Sequence, residues 1–185
     1  MVYEYLGIAF LIALFKKGSV NRLSETNFKV SSLIIFCLLL QLFAVYAGDY
    51  FPIIDQTFTY MIILTYLLLI FASYLNRHLE GFKLFLLGLS LNAIVIIING
   101  GRMPVSAKAL ETVGMSGDIQ VLSSGYKKHE LVGDQTLLPF LADVIPLHFP
   151  FVLMSIVVSI GDIIMTIGIC WFIYQGMTRN QQLSN

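Results

Sequence analysis

Two aspartates stand inside apolar sequence, where a carboxyl group needs a partner. Asp143 interrupts the run Leu137-Leu138-Pro139-Phe140-Leu141-Ala142-Asp143-Val144-Ile145-Pro146-Leu147-His148-Phe149-Pro150, and Asp162 interrupts the apolar stretch 150–174. Placing one charged carboxylate at bilayer depth costs on the order of 2.5–3.5 kcal/mol on insertion scales, so neither is expected to face lipid. Two carboxyls that share a site split their pKa values, one staying protonated while the other activates water. Asp143 and Asp162 are therefore candidate catalytic residues, a general acid and base acting on a lipid or a membrane-anchored peptide. On a helical period Ser155, Ser159, Asp162 and Thr166 share one face and are expected to form a polar stripe with Asp162 near mid-membrane.

A second polar set closes an earlier apolar segment. Asn92 and Asn99 lie two helical turns apart on one face, and Asn99 opens the run Asn99-Gly100-Gly101-Arg102-Met103-Pro104-Val105. Gly100 and Gly101 permit positive φ and close backbone approach, and Pro104 holds Met103 extended, so a helix must stop and the chain must turn there. Arg102 offers a fork of donors to a phosphate, a carboxylate or Asp143 itself. Asn92, Asn99, Gly100, Gly101, Arg102, His129 and Ser159 are candidate pocket residues, with Asp143 roofing the pocket and Asp162 flooring it. Arg102, His129 and Asp162 are the candidate partners of Asp143. His129, His148 and Asp143 are of zinc-ligand type, but their spacing supports no metal site and no cofactor is implied; His148 reads as an interfacial imidazole.

Membrane helices must position these groups. Apolar residues make up 57% of the chain and charged residues only 12%, with a mean hydropathy of +0.83, where a soluble domain is nearer a quarter charged. Apolar segments at 2–15, 30–48, 57–75, 82–98 and 150–174 predict an all-α integral membrane protein of about five transmembrane helices in a single domain, 1–185. Segment 137–149 is too short to span and is broken by prolines, which predicts a re-entrant or interfacial piece. The first segment lacks the basic flank of a signal peptide and reads as a retained helix. Cys37 and Cys170 fall in apolar spans and read as small buried hydrophobes.

Orientation follows from the basic residues beside the spans. Lys16, Lys17, Arg22 and Lys29, then Arg77 and Lys83, then Arg179 belong to one side, while the connection 48–56 carries Asp49 and Asp55 and no basic residue. That predicts the N-terminus outside and the C-terminus in the cytoplasm. The loop 99–149 is then extracytoplasmic; its Lys108, Lys127 and Lys128 do not weigh against this, because long loops cross largely regardless of charge. Short helices are expected in it over 105–113 and 119–124, the second capped by Asp118, as a lid over the outer mouth. Tyr3, Tyr5, Tyr46, Tyr50, Tyr60, Tyr74 and Tyr174 near span ends fit interfacial anchoring. Zero net charge, with basic residues where topology needs them, sets nucleic acid aside as a partner. The bilayer is one expected partner; a second membrane protein could approach Ala9 and Ala13 on the first span or the 99–149 loop.

The ordered set Asn99-Gly100-Gly101-x-Met103-Pro104-Val105, then His129 and Thr136, then Leu141-x-Asp143, then Ser159-x-Gly161-Asp162 resembles a family of small bacterial multi-pass membrane proteins of unknown function. The resemblance covers the C-terminal half best and implies a cell-membrane location. The order of Asp143-Val144-Ile145, Phe149-Pro150, Gly161-Asp162 and Gly168 is also similar to the final segment of bacterial lipoprotein signal peptidases, which use two aspartates at the outer membrane face. Their Asn-x-x-Asp-Arg is missing around Asp143, and no Asn precedes Asp162. The expected function is a binding, transport-related or accessory subunit with an outward-facing polar pocket. A hydrolase using Asp143 and Asp162 ranks second, and a structural, partner-docking subunit third.

Overall fold

The computed structural model describes residues 2–47, 50–123 and 129–179. Asp49, Ser124, Lys127, Lys128 and the side chain of Asp55 lie outside the described residues. The chain is mostly helical: α1 (Val2–Phe15), α2 (Val20–Ser24), α3 (Ser31–Ala47), α4 (Pro52–Leu75), α5 (Phe82–Ile98), α6 (Ala107–Thr112), α7 (Ser116–Ser123) and α8 (Ile160–Thr178). Between α5 and α8 lie four short strands, β1 (Met103–Val105), β2 (His129–Leu131), β3 (Ile145–Leu147) and β4 (Ile156–Val158), and a 3₁₀ turn at Pro139–Leu141. Within α4 and α8, Gln56–Leu75 and Ile160–Thr178 are long and apolar enough to cross a membrane; α1, α3 and α5 are apolar but shorter.

The five apolar helices pack side by side in the order α3, α4, α5, α8, α1. Small and polar side chains fill the contacts: Cys37, Ala44, Thr65, Asn76 and Asn92 are buried, whereas Leu39, Leu64, Phe71, Leu87 and Ile167 are half exposed or more. Small residues let helix backbones approach closely. A Cβ on Gly88 would collide with the Gly161 carbonyl oxygen, and one on Gly81 with that of Gly168, so α5 and α8 cross on glycines spaced seven apart on each side.

Hydrogen bonds tie the helices at both ends. At one end Asn76 clamps the chain before α3, its Oδ1 accepting from Lys29 N (2.8 Å) and its Nδ2 donating to Lys29 O (2.9 Å). There too Ser19 N donates to Met177 O (2.9 Å). At the other end Thr59 Oγ1 donates to Gly100 O (3.0 Å) and the Tyr5 hydroxyl to Phe151 O (2.8 Å). The N-terminus of α1, the C-terminus of α5 and the start of α8 therefore share that second end.

Three expectations need correction. First, the helix expected across 150–174 starts only at Ile160, because the β-branched run Ile156-Val157-Val158 pairs antiparallel with Ile145–Leu147 and Ser159-x-x-Asp162 is a helix-start signal. Ser155 is exposed and outside the helix, so the four-residue polar stripe does not form. Second, the helix expected over 119–124 begins at Ser116, leaving Asp118 inside its first turn and not at its cap. Third, Ala13 is fully buried inside the chain, and its carbonyl accepts from Gly18 N (2.8 Å). Ala9 and Ala13 therefore make no free ridge for a partner helix. The other short helix, expected over 105–113, is α6, capped by Ser106 Oγ accepting from Ala109 N (3.2 Å).

Candidate functional site

The site lies beneath a small sheet on the C-terminal end of α5. β1 pairs in parallel with β2, Met103 against His129 and Val105 against Leu131. On the opposite edge of β1, Asp143 N donates to Pro104 O and Ser106 N donates to Asp143 O, both at 2.9 Å. Asp143 and His129 thus flank one strand, although 14 positions separate them in the chain. Burial of Met103, Pro104 and Val105 explains why this short strand is rigid enough to act as a roof.

Asp143 is only 7% exposed. Its Oδ2 lies 3.8 Å from His129 Nδ1, and its Oδ1 is buried with no hydrogen-bond partner. Loss of hydration, reinforced by the negative charge of Asp162, pushes the Asp143 carboxyl up to about 8. Tyr66 of α4 lies within electrostatic reach of both Asp143 and Asp162.

Asp162 is placed differently from expectation. It is the third residue of α8 and closes a capping box with Ser159, whose Oγ accepts from Asp162 N (2.9 Å) while Ser159 N donates to Asp162 Oδ2 (3.1 Å). Asn92 completes the ring: its Nδ2 donates to Asp162 Oδ1 (2.8 Å), and its Oδ1 accepts from Ser159 Oγ (2.9 Å). A carboxylate at a helix N-terminus is favoured by the free N–H groups and the helix dipole, so this cluster satisfies the charge without an ion pair. Asn92 is six residues before the end of α5, which puts the cluster roughly 9 Å below that end, within about 3 Å of the helix midpoint. Gly161 is required here, since a Cβ would collide with Asn92 Oδ1.

The remaining candidates form the hinge. Asn99 Nδ2 donates to Val95 O (2.8 Å) and Leu137 O (3.0 Å), and its Oδ1 accepts from Leu137 N (2.9 Å), which docks the proline-broken run on α5. Gly100 and Gly101 have φ of +70° and +86°, and a Cβ on Gly101 would press on Thr59. Arg102 is half-buried and, among the described residues, forms no ion pair; of the three candidate partners, it is His129 whose imidazole lies beside Asp143. His148 is exposed, its ring nitrogen 3.0 Å from Phe149 O.

The fold therefore pairs Asp143 with His129 across β1 and joins Asp162 to Asn92 and Ser159 at the start of α8, and leaves Asn99, Gly100, Gly101 and Arg102 as the turn between α5 and β1. Tyr66, which packs against the cluster of Val95, Ile96 and Met103 beneath the sheet, was not singled out by sequence reasoning. Its signal was depth, since it stands well inside an apolar span where Tyr60 and Tyr74 lie towards the ends, and a phenol at that depth needs a polar neighbour. The assembled groups are a buried carboxyl with one oxygen beside His129 and the other unsatisfied, and a second carboxyl held by Asn92 and Ser159. Such a pair can hold a proton, accept hydrogen bonds from a ligand or attract a cation.

The family of unknown function DUF5317 matches residues 25–174. An uncharacterised protein of Thermotoga maritima is 32% identical over 109 residues, which cover 59% of this chain and 60% of the relative. No solved structure matches.

Proposed function

We propose a function for a chain that belongs to the DUF5317 family: a multi-pass protein of the cell membrane whose outward-facing polar pocket binds a ligand, as a transport-related or accessory subunit. The membrane part of this reading draws on the inverted distribution of side chains. Five helices that turn Leu, Ile and Phe outward and keep Thr, Ser and Asn inside suit lipid as the surrounding solvent. Five spans with the N-terminus outside agree with the helix ends, because the segments bearing Lys29, Arg77 and Lys83 gather at the end opposite the sheet. The piece 137–158 then sits at the outer interface, consistent with a re-entrant or interfacial segment. Cysteine placed at Lys108 in a cysteine-free background is expected to react with an impermeant maleimide on whole cells, and cysteine at Arg77 only after permeabilisation. The reverse pattern would invert the topology.

The observation that carries the binding reading is the buried, unpartnered Oδ1 of Asp143. Leaving such an acceptor unsatisfied costs about 1–3 kcal/mol, a cost a bound donor removes. With the Asp143 carboxyl offering a free oxygen and Asp162 within its electrostatic reach, the pocket favours cationic or donor-rich solutes over anions. A thermal-shift panel of small amines, carboxylates and phosphates on the detergent-solubilised protein is expected to show stabilisation by amines, lost in Asp143→Asn. At about 100 times Kd that stabilisation is about 2.7 kcal/mol. No shift with any solute, in a monodisperse chain with nothing bound, would sink the reading.

The hydrolase reading draws on the electrostatic reach between Asp143 and Asp162. It asks Asp162 to act while its Oδ2 caps the start of α8 and its Oδ1 accepts from Asn92 of α5, which is why binding ranks above it.

A further inference from the structure

A groove of about 500 Å³ runs between α1 and α8, walled by Tyr5, Ala9, Ile163, Ile167, Cys170 and Trp171 among others. Two of the three hydroxyls on its walls, all but that of Tyr174, are used within the chain. Tyr5 donates to Phe151 O (2.8 Å) and Thr166 Oγ1 to Asp162 O (2.7 Å), so the groove presents almost only carbon. One end is closed. The loop carrying Phe151 is tied to α1 by Glu4 Oε1, which accepts from Leu153 N (2.7 Å) and Met154 N (3.3 Å).

We infer that this groove holds one acyl chain of an outer-leaflet lipid, an inference that rests on the membrane reading above. The first reason is length: from Ile163 to Tyr174 α8 rises roughly 16 Å, about the depth of one leaflet of a 30 Å hydrocarbon core. The second is width. An α-helix with side chains is about 10 Å across, so 16 Å of it occupies roughly 1,300 Å³, well over twice the groove. A flexible chain lies inside a space of that size, whereas a partner's helix or a second copy could only rest across its mouth. The third is position, because the groove opens on two helices whose outer faces are already apolar and exposed, Leu11 and Ile167 among them, and its closed end is the outer one.

Trp171 is the chain's single tryptophan and lines the groove, so its fluorescence reports on the occupant. The full-length protein is reconstituted in phosphatidylcholine vesicles with brominated acyl chains, and bound lipid is counted by native mass spectrometry after mild detergent extraction. Wild type is expected to be quenched in the vesicles and to retain phosphatidylcholine through extraction. Ala9→Phe, which fills the groove, is expected to lower the retained fraction about tenfold, equivalent to roughly two buried methylenes, while Ile35→Phe on the exposed face of α3 leaves it unchanged. Cys170→Phe repeats the measurement should Ala9→Phe fail to fold. Quenching in vesicles with no lipid retained, equal retention in both variants, or a retained protein chain in place of lipid would each overturn the groove assignment and leave the membrane reading standing. Absence of quenching in the vesicles would remove the membrane reading itself, and the groove with it.

Discussion

Between about pH 4 and pH 8 the wild-type fold is expected to lose stability, and Asp143→Asn is expected to remove most of that loss. The Asp143 carboxyl is pushed up to about 8, first by burial and then by the charge of Asp162. Its unfolded value is that of an ordinary aspartate, about 3.9. The folded state therefore holds a proton that the unfolded chain has already released. The stabilisation from this group is fully present below about pH 4 and falls as pH rises through the folded value near 8. Because the residue is only 7% exposed, solvent screening gives little relief, and the difference between wild type and Asp143→Asn should reach on the order of 3–5 kcal/mol above pH 8. Denaturant titration of both proteins in detergent at a series of pH values measures it. Parallel curves would mean that Asp143 ionises freely, and that the sheet over α5 encloses no dry site.

The pH effect is also a statement about where Asp143 sits. Asn lacks the charge but keeps the shape, so Asp143→Asn leaves the backbone bonds to Pro104 O and Ser106 N in place. A mutant that loses both its pH dependence and its amine-induced stabilisation, while melting normally at low pH, assigns proton and ligand to one carboxyl group. A mutant that melts early at every pH points to a packing role instead.

The helices were readable from sequence because each depends on a local signal. The segments 2–15, 30–48 and 82–98 match α1, α3 and α5 closely, and α4 only extends the third segment to Pro52. An apolar run of sufficient length is a property of neighbours in the chain. The last segment misled because hydropathy cannot separate a β-branched run that pairs as a strand from one that continues a helix; Ile156-Val157-Val158 reads apolar either way. The capping signal Ser159-x-x-Asp162 was present and outweighed it. The polar residues themselves were legible by type, since Asp143, Asp162 and Asn92 are conspicuous in apolar surroundings. Their pairing was not. Nothing local says that His129, whose chain neighbours are Lys128 and Glu130, would lie across β1 from Asp143, or that Asn92 would close a ring with Ser159 and Asp162. Those are consequences of sheet register and of helix crossing, which arise only when distant segments meet.

That crossing carries a large packing effect. Gly161→Ala is expected to cost about 3 kcal/mol or more, and Gly88→Ala about as much, because each added methyl points at backbone across the α5–α8 contact. A Cβ on Gly161 collides with Asn92 Oδ1 and lies 2.8 Å from Gly88 O; one on Gly88 collides with Gly161 O and lies 2.7 Å from Met165 N. Neither helix can yield by rotating a side chain, so the axes must separate, and separation also pulls Asn92 away from Asp162 and Ser159. Gly7 in α1 gives the contrast: nothing lies within 4 Å of its Cβ position, so Gly7→Ala should instead stabilise by roughly 0.5–1 kcal/mol through helix propensity. Unfolding the three variants by titration with a denaturing detergent separates the cases. If Gly161→Ala resists as well as Gly7→Ala, then α5 and α8 do not meet on their glycines, and the ring that holds Asp162 beneath Asp143 has lost the packing that places it.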